Sequence, residues 1–377
     1  MADTVAVLGQ PCGTVQIMAT ALHVRGVVLP EDELRDLWLV GDRVSLTPVP
    51  GARTVSDGGF VLPGLVDAHC HIGIAPGGAP VTSVPQAKAL ALIDRDAGVL
   101  ALRDAGSPLP YPMLDDDPEV PRLARAGRHV APPRRYLPEI GVEVPADQVV
   151  AEVTRQAAAG TGWVKLVGDW IDRDSGDLAP AWDDATLTAA VAAAHAAGAR
   201  ITAHCFEESS VATLVRAGID CVEHGTGLST DLVDEMARRG TALVPTMINI
   251  ETFGHIAARA EAKFPGYAKH MLALRDRFPD VVRAAYEAGV PVFVGSDAGG
   301  GIAHGLAAQE MLRLHAAGMT PEDVLAAGSW RARSWLGFPG LDEGGWADLV
   351  VYAEDPRRNL RTLLAPRRIV LRGRVIV

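Results

Sequence analysis

The chain has 377 residues, 48% apolar and 21% charged, with a formal net charge of -11 and a pI near 5.5. That length can bury a large core in one domain or two, and the composition is globular, not disordered. The acidic balance without any basic stripe argues against a nucleic-acid or membrane-surface partner, and no apolar run reaches the ~18 residues of a membrane span.

The first residues, MADTVAVLGQPCG, have no positive n-region and only a very short apolar stretch, so no signal peptide is expected. Cys12, Cys70, Cys205 and Cys221 are too few and too scattered for a disulfide framework, so reduced thiols in a cytoplasm are expected. Residues 1–60 read as short β segments, TVQIMATALHV, DLWLVGDRV and TVSDGGFVL, separated by Gly, Pro and Asp turns. From Val61 alanine-rich helical stretches alternate with short apolar strands. The first strand is VLPGLVDAHCHIG. The next seven follow a glycine: Gly98 before VLALRDAG, Gly127 before RHVAP, Gly160 before WVKLVGD, Gly198 before ARITAHC, Gly218 before IDCVEHG, Gly240 before TALVPT and Gly289 before VPVFVGSD. Glycine at C′ lets a helix stop with φ > 0 and turn directly into a strand.

Strand–helix alternation with continuous apolar strands predicts an α/β fold with a parallel sheet covered on both faces. Eight units in about 275 residues suit a (β/α)8 TIM barrel, which typically takes ~250. A doubly wound open sheet ranks below it, because no Gly-rich phosphate loop follows the first strand. ADLVVYAEDP and RRIVLRGRVIV return to β character, so the two chain ends, 1–58 and 341–377, are expected to build one small β-sandwich domain, with the barrel over 59–340.

In such a barrel the site lies at the C-terminal strand ends. Strand alternation puts Asp67, His69 and His71 on one side and Cys70 on the other, in the core. Strand four ends in Lys165, strand five in His204, strand six in His224 and strand eight in Asp297. Any one of these histidines has an ordinary explanation as a hydrogen-bonded or surface residue, and Asp297 as the start of a turn. A strand-buried ammonium is costly and rare, so Lys165 weighs most. Together the set reads as a metal site.

On GFVLPGLVDAHCH, GVLALRDAG, GWVKLVGD, ITAHC, GIDCVEHGT, LVPT, VGSDAG and GLDEGGWADLVVYAEDP, nearly the whole chain resembles the metal-dependent amidohydrolase superfamily, nearest its imidazolonepropionase-like and prolidase-like branch. The resemblance implies two divalent ions, most often zinc: His69, His71 and Asp297 hold one, His204 and His224 the other, and a carbamate on Lys165 bridges both. It implies a metal-bridging hydroxide as nucleophile, with Asp297 as proton acceptor and donor. The branch carries a Gly-Gly-His segment after strand three, whereas APPRRYLPEIGVEV has neither, which weakens a dipeptidase or carboxypeptidase reading.

Around the metals, Arg134, Arg135, Tyr136 and Trp170 are candidate substrate contacts, a guanidinium being suited to a carboxylate and an indole to a pocket wall. Solvated loop arginines are the plain alternative. Arg103-Asp104 reads first as a structural salt bridge, Glu207 and Glu208 as helix caps, His304 as a neighbour of the site or the start of a helix, and Cys205 as core. The expected enzyme hydrolyses an amide-type C–N bond in an N-acyl amino acid, a dipeptide-like compound or a cyclic amide. Alternatives are a mononuclear deaminase or imidazolone-type hydrolase, a lactone, ester or phosphotriester hydrolase, and a non-catalytic barrel. The expected partner is a small-molecule substrate, with a homo-oligomer left open.

Overall fold

The computed structural model describes residues 21–377; Cys12, the stretch 1–13 and residues 14–20 of the first β segment lie outside them. Strands from both chain ends join in one seven-stranded sheet, ordered Arg374–Val375, Arg368–Leu371, Leu349–Tyr352, Arg53–Pro63, Leu22–Val28, Glu33–Val40, Arg43–Ser45. Leu22, Val24 and Val28 are buried with Leu37, Leu39 and Val351, the period-2 pattern of a sheet with one covered face. Among the described residues this is one sheet, where a two-layered sandwich was expected. Its strand Arg53–Pro63 runs through residue 58 and, after Gly64, leads into the first of the parallel strands.

Those parallel strands are β1 (Leu65–Cys70), β2 (Val99–Asp104), β3 (Arg122–Arg125), β4 (Trp163–Val167), β5 (Arg200–Cys205), β6 (Cys221–His224) and β7 (Ala242–Val244). β1, β2 and β3 pair in one ladder, and β4 through β7 in another. They are buried almost throughout, as continuous apolar strands under helices should be. Two irregular stretches connect the ladders. After β3 the chain turns at Gly127 (φ +70°) and Val130 pairs with Leu166 of β4. Residues 291–298 bond to β7 through Phe293 N to Leu243 O (3.0 Å) and to β1 through Ala68 N to Val294 O (2.7 Å) and Asp297 N to His69 O (2.8 Å).

The expected eighth strand is thus an extended segment with two isolated bridges, Leu243–Val292 and Cys70–Ala298. Pro291 lacks an N–H, and Asp297 turns to φ +58°, so a regular ladder cannot run its length. Two of the glycine junctions also differ. Gly127 lies inside the third strand region, which starts at Arg122, and Gly160 ends its helix at φ -84°. Gly98, Gly198, Gly218, Gly240 and Gly289 close helices at positive φ. No helix of the described residues is long and apolar enough to cross a membrane.

Candidate metal centre

β1 delivers His69 at its end and His71 just beyond it; the 291–298 segment delivers Asp297 between them. His69 Nε2 lies 2.8 Å and His71 Nε2 3.2 Å from Asp297 Oδ1, and the two imidazole nitrogens are 3.2 Å apart. Ligands of one tetrahedral or octahedral ion, bound at ~2.0–2.1 Å, lie about 2.9–3.4 Å from one another, so this triangle fits an ion. His71 Nδ1 lies 3.0 Å from the Gly106 carbonyl, to which it donates, leaving Nε2 its free lone pair. Asp67 ties the two elements together, accepting from His69 N (3.1 Å), Ser296 N (3.0 Å) and the Ser296 hydroxyl.

β5 and β6 supply a second pair of donors. His204 Nδ1 and His224 Nε2 face each other at 3.0 Å, while His224 Nδ1 bonds the Thr246 hydroxyl at 2.7 Å. His204 Nε2 is buried without a hydrogen-bond partner, 3.9 Å from the equally orphaned Oδ1 of Asp169. His69 and His224 have ring centroids 5.2 Å apart, so all four imidazoles form one cluster. His224, Thr246 and Asp297 have φ of +65°, +50° and +58°, a region L side chains enter at a cost of order 1–3 kcal/mol. Three such residues at one site are held there by the surrounding structure.

The electrostatics keep Asp297, His204 and His224 in ligand form, whereas at His69 burial is outweighed by Glu223 and Asp297, which raise it above the ordinary histidine value. Burial opposes ionisation of Asp297, but the His69 and His71 imidazoles hold it well below the usual carboxylate range. Burial, reinforced by the facing His224, pushes His204 well below an ordinary histidine, and burial brings His224 to about 3. Neutral imidazoles and an ionised carboxylate are what a divalent ion requires.

Lys165 is 1% exposed and joins the fully buried Glu223 in a close ion pair. Glu223 also accepts from Thr202 Oγ1 (2.8 Å) and pairs with the Arg103 guanidinium (3.1 Å). His69, His71, Lys165, His204, His224 and Asp297 all line one cavity of about 540 Å³, within the range of small-molecule sites. Tyr136, Trp170, Phe206 and Tyr267 wall it.

A family model described as the Amidohydrolase family matches residues 125–375. A protein of Mycobacterium tuberculosis described as uncharacterized is 52% identical over 357 residues, 94% of this chain and 96% of its own length. The chain belongs to the amidohydrolase family. It is a hydrolase acting on carbon–nitrogen bonds. The fold of this amidohydrolase is similar to a solved Xaa-Pro dipeptidase with bound methionine (TM-score 0.78, 20% identity, 94% of this chain and 99% of that one). It is also similar to the ochratoxinase of Aspergillus niger (TM-score 0.76, 18% identity, 94% and 95%).

The other candidates of the amidohydrolase chain separate clearly. Tyr136 and Trp170 face the cavity, with ring centroids 4.9 Å apart. Arg135 does not: its guanidinium donates to the carbonyls of Trp170, Ala179 and Pro180, clamping the hairpin there. Arg134 is exposed and off the cavity wall. The guanidinium on that wall is Arg259, which makes no ion pair or side-chain hydrogen bond among the described residues. Arg103 pairs with Glu223 instead of Asp104, whose carboxylate takes Gly106 N and the Tyr111 hydroxyl. Glu207 caps its helix through Ser209 N and Ser210 N, while Glu208 reaches His270 and Arg277. His304 bonds the buried Asp94 at 2.7 Å. Cys70 and Cys205 are core, the latter with Sγ 3.2 Å from Asp169.

Two residues escaped the sequence reading. His129, buried with both ring nitrogens unpartnered, stacks on His71 and packs against Tyr136, each at 5.1 Å. It sits in RHVAP, two residues before the APPRRYLPEIGVEV stretch. Glu223 precedes His224, and strand alternation sends neighbours to opposite faces; the positive φ at His224 ends the pleat and lets both reach the interior.

Proposed function

We propose that this amidohydrolase is a cytoplasmic, metal-dependent hydrolase of an amide-type C–N bond in a small molecule. The candidates remain an N-acyl amino acid, a dipeptide-like compound or a cyclic amide. Residues 59–340 would close into a (β/α)8 barrel, with 1–58 and 341–377 as a β-domain packed on it. What carries it is the convergence of His69, His71 and Asp297 within 2.8–3.2 Å at one end of the cavity that also holds Lys165, His204 and His224. His69, His71 and Asp297 would hold one divalent ion, zinc by donor type, and His204 and His224 a second, with Lys165 as a carbamate between them. Bound there, the ions supply an activated water and a Lewis acid for the scissile carbonyl.

The chain's own groups do the rest. Asp297, kept ionised beside two imidazoles, takes a proton at Oδ and passes it to the leaving nitrogen. Tyr136, Trp170, Phe206 and Tyr267 exclude water from an apolar or aromatic portion of the substrate. Arg259 meets a negative end at the mouth. Asp297→Asn is expected to abolish turnover of any amide substrate found, and Arg259→Ala to raise KM selectively for carboxylate-bearing substrates.

A mononuclear reading has one observation in its favour: His69, His71 and Asp297 are the one group of three or more metal-type donors among the described residues. Elemental analysis of protein purified without chelators separates the two. About two ions per chain, with activity dependent on bicarbonate during reconstitution, supports the bridged centre. About one ion, with no bicarbonate effect, supports the mononuclear site and puts deaminase substrates first.

A further inference from the structure

Glu223 is a carboxylate with no exposure, surrounded by groups from four other strands. Its two oxygens are used differently. Oε1 accepts from Thr202 Oγ1 at 2.8 Å and forms an ion pair with Arg103 Nη2 at 3.1 Å, with His69 Nδ1 at 3.3 Å. Oε2 is taken by Lys165 Nζ alone. Arg103 is itself fixed, donating from Nε to the Ala68 carbonyl at 2.5 Å and lying over the Trp163 ring at 4.8 Å. Arg103 does not take the bidentate pairing usual for a guanidinium and a carboxylate; it sits on Oε1, and Oε2 is left to the lysine.

We propose that Glu223 is the positioning residue for Lys165, holding its nitrogen by one N–H so that a carboxylate group added to that nitrogen lies on the side away from Glu223. This rests on the lysine-carbamate reading above. The Lys165 ammonium first gives one proton to solvent; the neutral Nζ amine then forms one N–C bond with carbon dioxide and releases a second proton, leaving a planar nitrogen with a single N–H. A carboxylate acceptor at Oε2 fits that N–H, and planarity then fixes where the new oxygens lie. Arg103 and Thr202 hold Oε1, so Glu223 cannot turn to follow the lysine.

Glu223→Gln tests the assignment. The Thr202 hydroxyl and the Arg103 charge at Oε1 select the amide oxygen there, which leaves the amide NH2 against Lys165, donor facing donor. Glu223→Asp keeps the charge for Arg103 but withdraws the acceptor by one methylene, and serves should the glutamine variant fail to fold. Each variant is reconstituted with zinc and ¹³C-bicarbonate beside wild type and Lys165→Ala, with far-UV circular dichroism confirming the fold. The carbamate carbon is read by ¹³C NMR and zinc by elemental analysis.

The expected result is a carbamate signal in wild type, its loss in Lys165→Ala and in folded Glu223 variants, and zinc affinity lowered about 10–100-fold in the latter. An undiminished signal in a folded Glu223 variant overturns the role of Glu223 while the bridge stands. No signal in wild type overturns the bridge, and with it any positioning by Glu223.

Discussion

At the scale of single residues, the centre depends on close approaches that only hydrogen allows, Gly295 among them. A Cβ on Gly295 would meet Val244 Cγ1 at 2.3 Å and His69 Cβ at 2.8 Å. Gly295→Ala should therefore push the 291–298 segment off β1, costing about 1–3 kcal/mol of stability and loosening the His69–Asp297 contact. Thermal unfolding with zinc titration checks this; unchanged zinc affinity would show that the close approach does not set the ligand geometry. Glu310 is a second case. Burial raises its pKa to about 8, although Met247 N and Ile248 N donate to it. A carboxyl raised above its unfolded value contributes stability below pH ~4.3 that is lost as pH rises through about 8. Urea unfolding from pH 5 to 9 should lose on the order of a few kcal/mol through this group, and Glu310→Gln should remove that component of the slope. The metal-type residues were legible because each ends or directly follows an apolar strand, a place where little but a functional group is expected. Glu223 and His129 were not: one depends on a backbone turn at His224, the other on which face of an irregular strand meets His71.

At the scale of elements, the wall of the cavity is a hairpin that the sequence did not announce. Asp169–Asp172 pairs antiparallel with Asp177–Pro180 directly after β4, bringing Trp170, Ile171 and Leu178 to the cavity. Only its first residue, Asp169, reads as part of WVKLVGD, and the rest, polar and glycine-broken, carries no strand period. The helix Pro265–Glu287 holds the hairpin down. Tyr267 and Met271 line the cavity, and between them His270 reaches Asp177 at 2.9 Å with Nδ1 and Glu208 at 3.0 Å with Nε2. Only the imidazolium can donate from both nitrogens. Burial works against that charge, but the two carboxylates raise His270 above the ordinary histidine value. The latch is thus complete below pH ~6.5 and lost as pH rises through the raised value. Amide exchange over residues 169–180, corrected for intrinsic rates, should accelerate across that window. His270→Gln should flatten the dependence; an unchanged profile in that variant would assign the latch to Arg135 alone.

At the scale of the molecule, alternation of helix and strand was readable because burial on both faces leaves the strands apolar, and the pairing of both chain ends because each returns to period-2 texture. How the terminal sheet is tied to the parallel strands was not readable, since it rests on one aspartate among forty-six acidic residues. Asp348 is fully buried and accepts from Arg122 Nε (2.9 Å) at the start of β3, from Arg333 Nη2 (3.3 Å) on the helix Trp330–Leu336, and from Arg372 N (2.7 Å). Its carbonyl accepts from Gly64 N (3.0 Å), where the sheet passes into β1. Both guanidiniums also lie over the Trp346 ring, at 4.2 and 5.8 Å. Removing the carboxylate leaves two buried cations without their shared counter-charge, and losing one partner of a buried pair costs on the order of 3–5 kcal/mol. Asp348→Ala should show that loss in denaturant unfolding. If this junction makes sheet and parallel strands one cooperative unit, tryptophan fluorescence and far-UV circular dichroism of the wild type will report a single coincident transition. In Asp348→Ala the two probes should separate, the terminal sheet melting first; coincident transitions at an unchanged midpoint would mean that the apolar contacts alone hold the two parts together.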